Sequence, residues 1–280
     1  MKKQIIKFSK PSFAVIKNKE SFFKENDRLL ENVKKVNAFY LEQPKRKKCK
    51  TCSAPIKNNH LTIHSIPYSI CVKCGHLNGL HEDTFEFSSQ LYSENDGQDY
   101  AINYKNNYTD RVEDIYKPKA EFLIECLKSI DNIEDFDVTD IGCGGGHFVK
   151  ALEDYAISSV GFDTNKQLIN LGNSMMNSNI LEQINIDEIN TYILNSKSKV
   201  LSLVGVLEHL NDPIGALEAF KKSASKYLYL QVPLFSFSAL LESIHPTVFP
   251  RQLNTGHTHL YTESSIDFLC EEFELSKIGE

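Results

Sequence analysis

The chain has 280 residues, 41% of them hydrophobic and 24% charged, with a formal net charge of -6. This composition fits a folded protein with one large domain and a small one; it excludes a disordered chain and argues against a general nucleic-acid binder, which carries a basic face. No run approaches the ~18 consecutive apolar residues of a membrane span, and Lys7, Lys10, Lys17 and Lys19 interrupt any secretory signal core, so a cytoplasmic protein is expected.

Residues 1–44 read as an N-terminal helical segment. Phe22, Phe23, Leu29, Leu30, Val33, Val36 and Phe39 recur at helical spacing between about Glu20 and Leu41, and Pro44 ends the pattern. The basic run Lys45-Arg46-Lys47-Lys48 reads as a solvated linker, with a local basic patch as the alternative.

Residues 45–85 form a small module holding Cys49, Cys52, Cys71 and Cys74 in the pattern C-x2-C-x18-C-x2-C. That is the spacing of a structural zinc site, in which two tight knuckles close a tetrahedron of thiolates and leave no open position. Two disulfides or a redox dithiol are the alternatives; a reducing compartment opposes the first, and the lack of a thioredoxin-like context the second. His60, His64, His76 and His81 are expected at the surface, unless one of them replaces a cysteine. A module this small buries little core, so metal ligation should hold it together.

Residues 86–110 form a tyrosine-rich connector. Tyr100, Tyr104 and Tyr108 fall on one helical stripe and either pack the connector on the core or form a lid over a site. From 111 to 280 helical and β-branched runs alternate, the pattern of a Rossmann-like α/β domain with a doubly wound, mostly parallel sheet. A helix at about 111–130 precedes strands at 137–142, 158–163, 181–186, 200–206 and 227–232. Asp212 with Pro213 marks a helix start. The last run, "ELSKIG", reads as a sixth strand. The chain then stops at Glu280, so the domain is expected to be truncated at its C-terminus or completed in an unusual way, with part of the acceptor site missing in the first case.

"VTDIGCGGGHF" places Gly142, Gly144 and Gly146 directly after a strand. A dinucleotide fingerprint needs a glycine where His147 stands, and a P-loop needs Gly-Lys-Ser/Thr where the chain reads Gly146-His147-Phe148. Both phosphate readings fail. Asp140 before the loop suits a cationic ligand, and Asp163, ending the next strand, suits ribose hydroxyls. S-adenosylmethionine has both features and no phosphate.

At these residues the chain resembles the class I S-adenosylmethionine-dependent methyltransferases. "DIGCGGGHF" and "VGFDTN" match their first two motifs, while "VGVLEHLNDP" and "GHTHLYTESSIDFLCEEF" resemble later segments of one subgroup. The resemblance covers about 110 to 280. It implies that Asp140, Gly142, Gly144 and Gly146 line the methionine part of the cofactor, that Asp163 holds the ribose, and that Val206 and Leu207 border the sulfonium. Asn185 or Asp187 would lie near the adenine. The order of cysteine module, connector and this domain resembles bacterial methyltransferases of deoxysugars and surface polysaccharides.

A neutral acceptor needs a base. His209, at the end of the fourth strand, and His257 are the candidate catalytic residues, although resembling enzymes often carry Glu-His where this chain has Gly256-His257. His209 could equally be a loop residue. His259 and His245 are further candidates. The expected function is methyl transfer to a small polar acceptor, a nucleotide-linked sugar or glycan unit, with nucleic acid not favoured as a partner. RNA or protein methylation and a non-catalytic cofactor-binding adapter are the alternatives.

Overall fold

The computed structural model describes residues 5–6, 22–88, 107–131, 133–245, 247, 253 and 256–280. Five parallel strands form the main sheet: β4 (Asp137–Ile141), β5 (Ser158–Asp163), β6 (Leu181–Gln183), β7 (Val200–Val204) and β8 (Tyr227–Gln231). Their order across the sheet is β6-β5-β4-β7-β8. The order reverses beside β4, and open α/β sheets bind ligands outside the carboxyl ends of strands at such a switch. Asp140 pairs in register with Gly161 on one side and Ser202 on the other.

Strand residues alternate between the two faces. Val138, Val200 and Tyr227 join one core cluster with Leu123, Leu127 and Phe148. Ile141, Leu201 and Leu203 join the opposite cluster with Leu217, Phe220 and Leu269. Helices α3 (Lys117–Asp131) and α4 (His147–Glu153) supply the first set, and α7 (Pro213–Lys222) and α9 (Glu263–Glu272) the second. Before α3 lie the short α2 (Tyr108–Arg111) and a π-helical turn over Val112–Tyr116. Asp212 caps α7 as expected, its Oδ1 accepting the Gly215 N–H at 2.9 Å with Pro213 in the first turn. Helix α5 (Lys166–Met176) is capped by Asn165. The strand expected over 181–186 stops at Gln183, because Asn185 caps a 3-10 turn over Ile186–Glu188 that leads into α6 (Ile189–Asn195).

The sixth strand expected at "ELSKIG" does not form among the described residues. Gly279 instead makes an isolated parallel bridge with Ile5, and the Glu280 N–H donates to the Ile5 carbonyl at 2.7 Å.

The cysteine region builds a second sheet, β1 (Leu61–Ile63), β2 (Ile66–Ile70) and β3 (Leu77–Gly79), all antiparallel. Its fourth strand is β9 (His259–Leu260), which reaches it from the far end of the chain and pairs Asn78 with His259. Helix α1 (Phe22–Glu42) packs onto the same sheet, with the Tyr40 hydroxyl donating to the His81 carbonyl at 2.6 Å. The expectation of a nearly coreless module is therefore corrected. Tyr40, Ile66, Tyr68 and Leu77 form a buried cluster with Leu260 and with Ala239 of α8 (Phe237–Ile244). Nor is Arg46 a solvated linker residue. It is buried, pairs with Glu82 and Asp83, and donates to the carbonyls of Gly79 and His81, while Lys50 pairs with the same Asp83.

No helix among the described residues is long and apolar enough to cross a membrane.

Candidate functional site

The glycine bend leaves β4 at its carboxyl end with Gly142, Gly144 and Gly146 all at positive φ. Gly142 (φ 71°) is fixed twice over: its conformation disfavours a side chain, and an added Cβ would lie 2.4 Å from Val206 Cγ2. Val206, buried like its neighbour Leu207, is thus the wall against which the bend rests at Gly142. Gly144 differs, because an added Cβ there would meet nothing nearer than Leu168 Cδ1 at 3.9 Å. Its N–H donates to Asp163 Oδ2 at 2.7 Å, and Asp163 Oδ1 accepts the Asn165 N–H at 2.8 Å. The strand-end carboxylate therefore sits directly against the bend.

Asp140 is 2% exposed, and the Ser202 hydroxyl donates to its Oδ1 at 2.6 Å. Burial lifts its carboxyl to about 7; the Ser202 hydrogen bond and the charge of Lys119 pull the other way, and Asp163 pushes further up. An acid raised in the folded state is ionised first in the unfolded chain, so stability falls as pH rises from about 4 to about 7 and then levels off. Asp140→Asn should remove that loss, and the ligand-free variant should gain on the native chain progressively over this window, by up to about 4 kcal/mol. Urea unfolding across the pH range checks this; a stability gap that does not change with pH would sink it.

Two groups beside the bend were not singled out from the sequence. Lys119 is buried, with its ammonium 4.4 Å from the Tyr116 ring centre. Its signal was available, since Lys119, Leu123 and Leu127 share one stripe of α3. His147 opens α4, lies between Tyr108 and Tyr116 with ring centres 4.4 and 5.2 Å away, and is pushed down to about 3 by burial and then by Arg111 and Lys119. Of the tyrosine stripe, Tyr100 and Tyr104 lie outside the described residues; Tyr108 is buried against His147.

After β7 the chain turns at Gly205 (φ 71°) into a 3-10 turn, Leu207–His209. His209 stacks on His257 with ring centres 5.1 Å apart, so the two expected catalytic residues do meet. Glu208 joins them, and one ligating atom from each of the three lies within 4.8 Å of the others. Glu208 is buried and its carboxyl is raised to about 7 by burial, while burial and His257 hold His209 down to about 3. His259 does not face this cluster. It is fully buried and shares a 2.9 Å hydrogen bond with His76, with Tyr261 packed against both rings. His76 and His81 are buried, not surface residues, whereas His60 is exposed and accepts the Ile70 N–H. His245, Asn185 and Asp187 are exposed.

The four cysteine Sγ atoms lie within 4.8 Å of one another. The Cys49–Cys74 and Cys52–Cys71 separations are 3.6 and 3.4 Å, close to the ~3.8 Å edge of a tetrahedron with 2.3 Å zinc–sulfur bonds. Backbone N–H groups of Thr51 and Cys52 point at Cys49, that of Ala54 at Cys52 and that of His76 at Cys74, and Asn78 Nδ2 donates to Cys49 Sγ. Donors aimed at sulfur favour thiolates, so the donor set fits a closed zinc site.

With this geometry in view, residues 109–278 match the family described as "Methyltransferase domain". The chain belongs to the methyltransferase-domain family. Its Rossmann-like sheet is the fold expected from that membership. The plantazolicin methyltransferase BamL, solved with a triazolic desmethylPZN analog and SAH, superposes with a TM-score of 0.50 at 16% identity, covering 66% of this chain and 70% of that one. Two curated tRNA U34 carboxymethyltransferases are also similar. That of Campylobacter fetus subsp. fetus (strain 82-40) is 34% identical over 105 residues, 36% of each chain. That of Aliarcobacter butzleri (strain RM4018) is 30% identical over 96 residues, 32% of this chain and 31% of its own. This methyltransferase-family chain thus spans about a third of the length of those curated relatives. Neither relative is named for a sugar acceptor.

Proposed function

We propose that the chain is an S-adenosylmethionine-dependent methyltransferase whose cofactor lies over the bend at Gly142, Gly144 and Gly146. The observation that carries this reading is the open space over Gly144, in a bend flanked by the buried Asp140 and the partly buried Asp163. When bound, the cofactor supplies an electrophilic methyl group on a cationic sulfur. Asp140 and the bend hold its charged methionine end, where a desolvated carboxyl gains most from a cation. Asp163 accepts from the ribose hydroxyls, and Val206 and Leu207 wall off the sulfonium. His209 and His257 face the acceptor. The four cysteines hold a structural zinc ion.

For the acceptor, the reading of a small polar molecule such as a nucleotide-linked sugar rests on the resemblance of the order of cysteine module, connector and catalytic domain to bacterial sugar methyltransferases. The tRNA reading is favoured by a different observation, the two curated relatives that act on tRNA U34, and an acidic net charge does not remove a local basic face.

Calorimetry with S-adenosylhomocysteine should give one site per chain and no heat with NADH. Release of the demethylated cofactor, followed with sugar nucleotides and with unmodified tRNA, then separates the acceptors. Binding of NADH without the sulfonium compound or its by-product would end the methyltransferase reading.

A further inference from the structure

We propose that Glu208, His209 and His257 form an open three-ligand site for a divalent first-row metal ion, which holds the acceptor's reacting heteroatom beside the cofactor. The second half rests on the methyltransferase reading; the metal site itself does not.

The argument starts from an unmet need. Glu208 Oε2 is buried and has no hydrogen-bond partner among the described residues. Such a carboxylate oxygen costs several kcal/mol unless something cationic reaches it. Its other oxygen, Oε1, lies 3.9 Å from His209 Nε2. His257, stacked on His209, completes a set of one carboxylate and two imidazoles whose ligating atoms are no more than 4.8 Å apart. Ligands on bonds of about 2.1 Å stand roughly 3–3.5 Å from each other, a gap that side-chain rotation closes.

The surroundings support ligation. A ring N–H of His209 donates to the Gly256 carbonyl, which fixes the tautomer and makes the other ring nitrogen a lone-pair donor. Glu208 and His209 ride on a one-turn helix ending β7, and His257 is delivered by the segment whose Thr258 carbonyl accepts the Gly79 N–H at 2.9 Å. The two halves of the site are thus held by different sheets. The donor chemistry selects the ion: two imidazoles and one carboxylate suit Zn2+ or Mn2+ over Mg2+, which prefers all-oxygen shells. Three protein ligands leave positions for water or an acceptor oxygen, in contrast to the closed set of four cysteines.

The test uses the full chain with its cysteine site loaded with zinc. Mn2+ is titrated and followed by electron paramagnetic resonance, because thiolates are poor partners for Mn2+. One Mn2+ should bind per chain, with nitrogen hyperfine coupling from imidazole, and His257→Ala and the near-isosteric Glu208→Gln should each weaken it more than about tenfold. Calorimetry with S-adenosylhomocysteine on the same samples reports the neighbouring pocket separately. A native chain that binds neither Mn2+ nor a second zinc, Mn2+ bound without nitrogen coupling, or variants that bind it unchanged would each overturn the metal site. Loss of S-adenosylhomocysteine binding alone would remove only the acceptor-holding role.

Discussion

Cys71→Ser is expected to strip the zinc and to open the small sheet while leaving the parallel sheet folded. Cys71 is buried, and its backbone closes the second knuckle, its N–H donating to the His76 carbonyl and its carbonyl accepting the Gly75 N–H, each at 2.8 Å. Structural zinc supplies on the order of 10 kcal/mol in small modules, and a serine hydroxyl does not replace a thiolate ligand. The buried cluster of Tyr40, Tyr68 and Leu260 opposes complete unfolding, so the loss should be regional. Elemental analysis should find one zinc fewer per chain than in the native protein, and hydrogen exchange should accelerate at 61–79 and 259–260 but not in β4 or β7. Native zinc content together with unchanged protection would remove the metal from the account of this module.

The second large effect separates two glycines of one bend. Gly142→Ala places a methyl group into Val206 at a backbone angle that L residues resist. Strain of about 1–2 kcal/mol and overpacking of about 1–3 kcal/mol should lower stability together. Gly144→Ala carries the strain without the clash, since its Cβ would point into open space. If the cofactor fills that space, Gly144→Ala loses affinity while melting only a few degrees below the native chain, and Gly142→Ala melts further below it. Thermal unfolding and calorimetry with S-adenosylhomocysteine read the two axes. Native affinity in Gly144→Ala would mean that nothing binds over the bend.

What the sequence made legible was local. The glycine spacing after a β-branched run, the two cysteine pairs and the Asp212-Pro213 helix start each fix their own geometry within a few residues, and each is found as expected. What stayed hidden depends on partners far away in the chain. Strand β9 is two residues long, too short for any periodic pattern, and exists because β3 offers it an edge. His76 and His259 are 183 positions apart, so their shared hydrogen bond left no trace in either segment. Glu208 was visible beside His209, but an acid at a strand end carries no mark of burial; only the packing of the turn shows that one of its oxygens is unmatched. The "ELSKIG" run has strand-like composition, yet the Glu274 and Leu275 N–H groups bond back to Glu271 and Cys270 at the end of α9, and its Ile278 carbonyl accepts from Ile5.

The borrowed strand β9 has a consequence for how the molecule comes into being. A ribosome delivers Cys74 long before it delivers Leu260, so the cysteine knuckles must wait, with one sheet edge bare, until the distant β9 segment has emerged. The same wiring forbids excision: cut away from its C-terminal partner, the cysteine region would lose an edge strand, the histidine that meets His76 and the helix carrying Phe268, which packs against the thiols. Evolution can shuffle such a unit only by carrying both ends together.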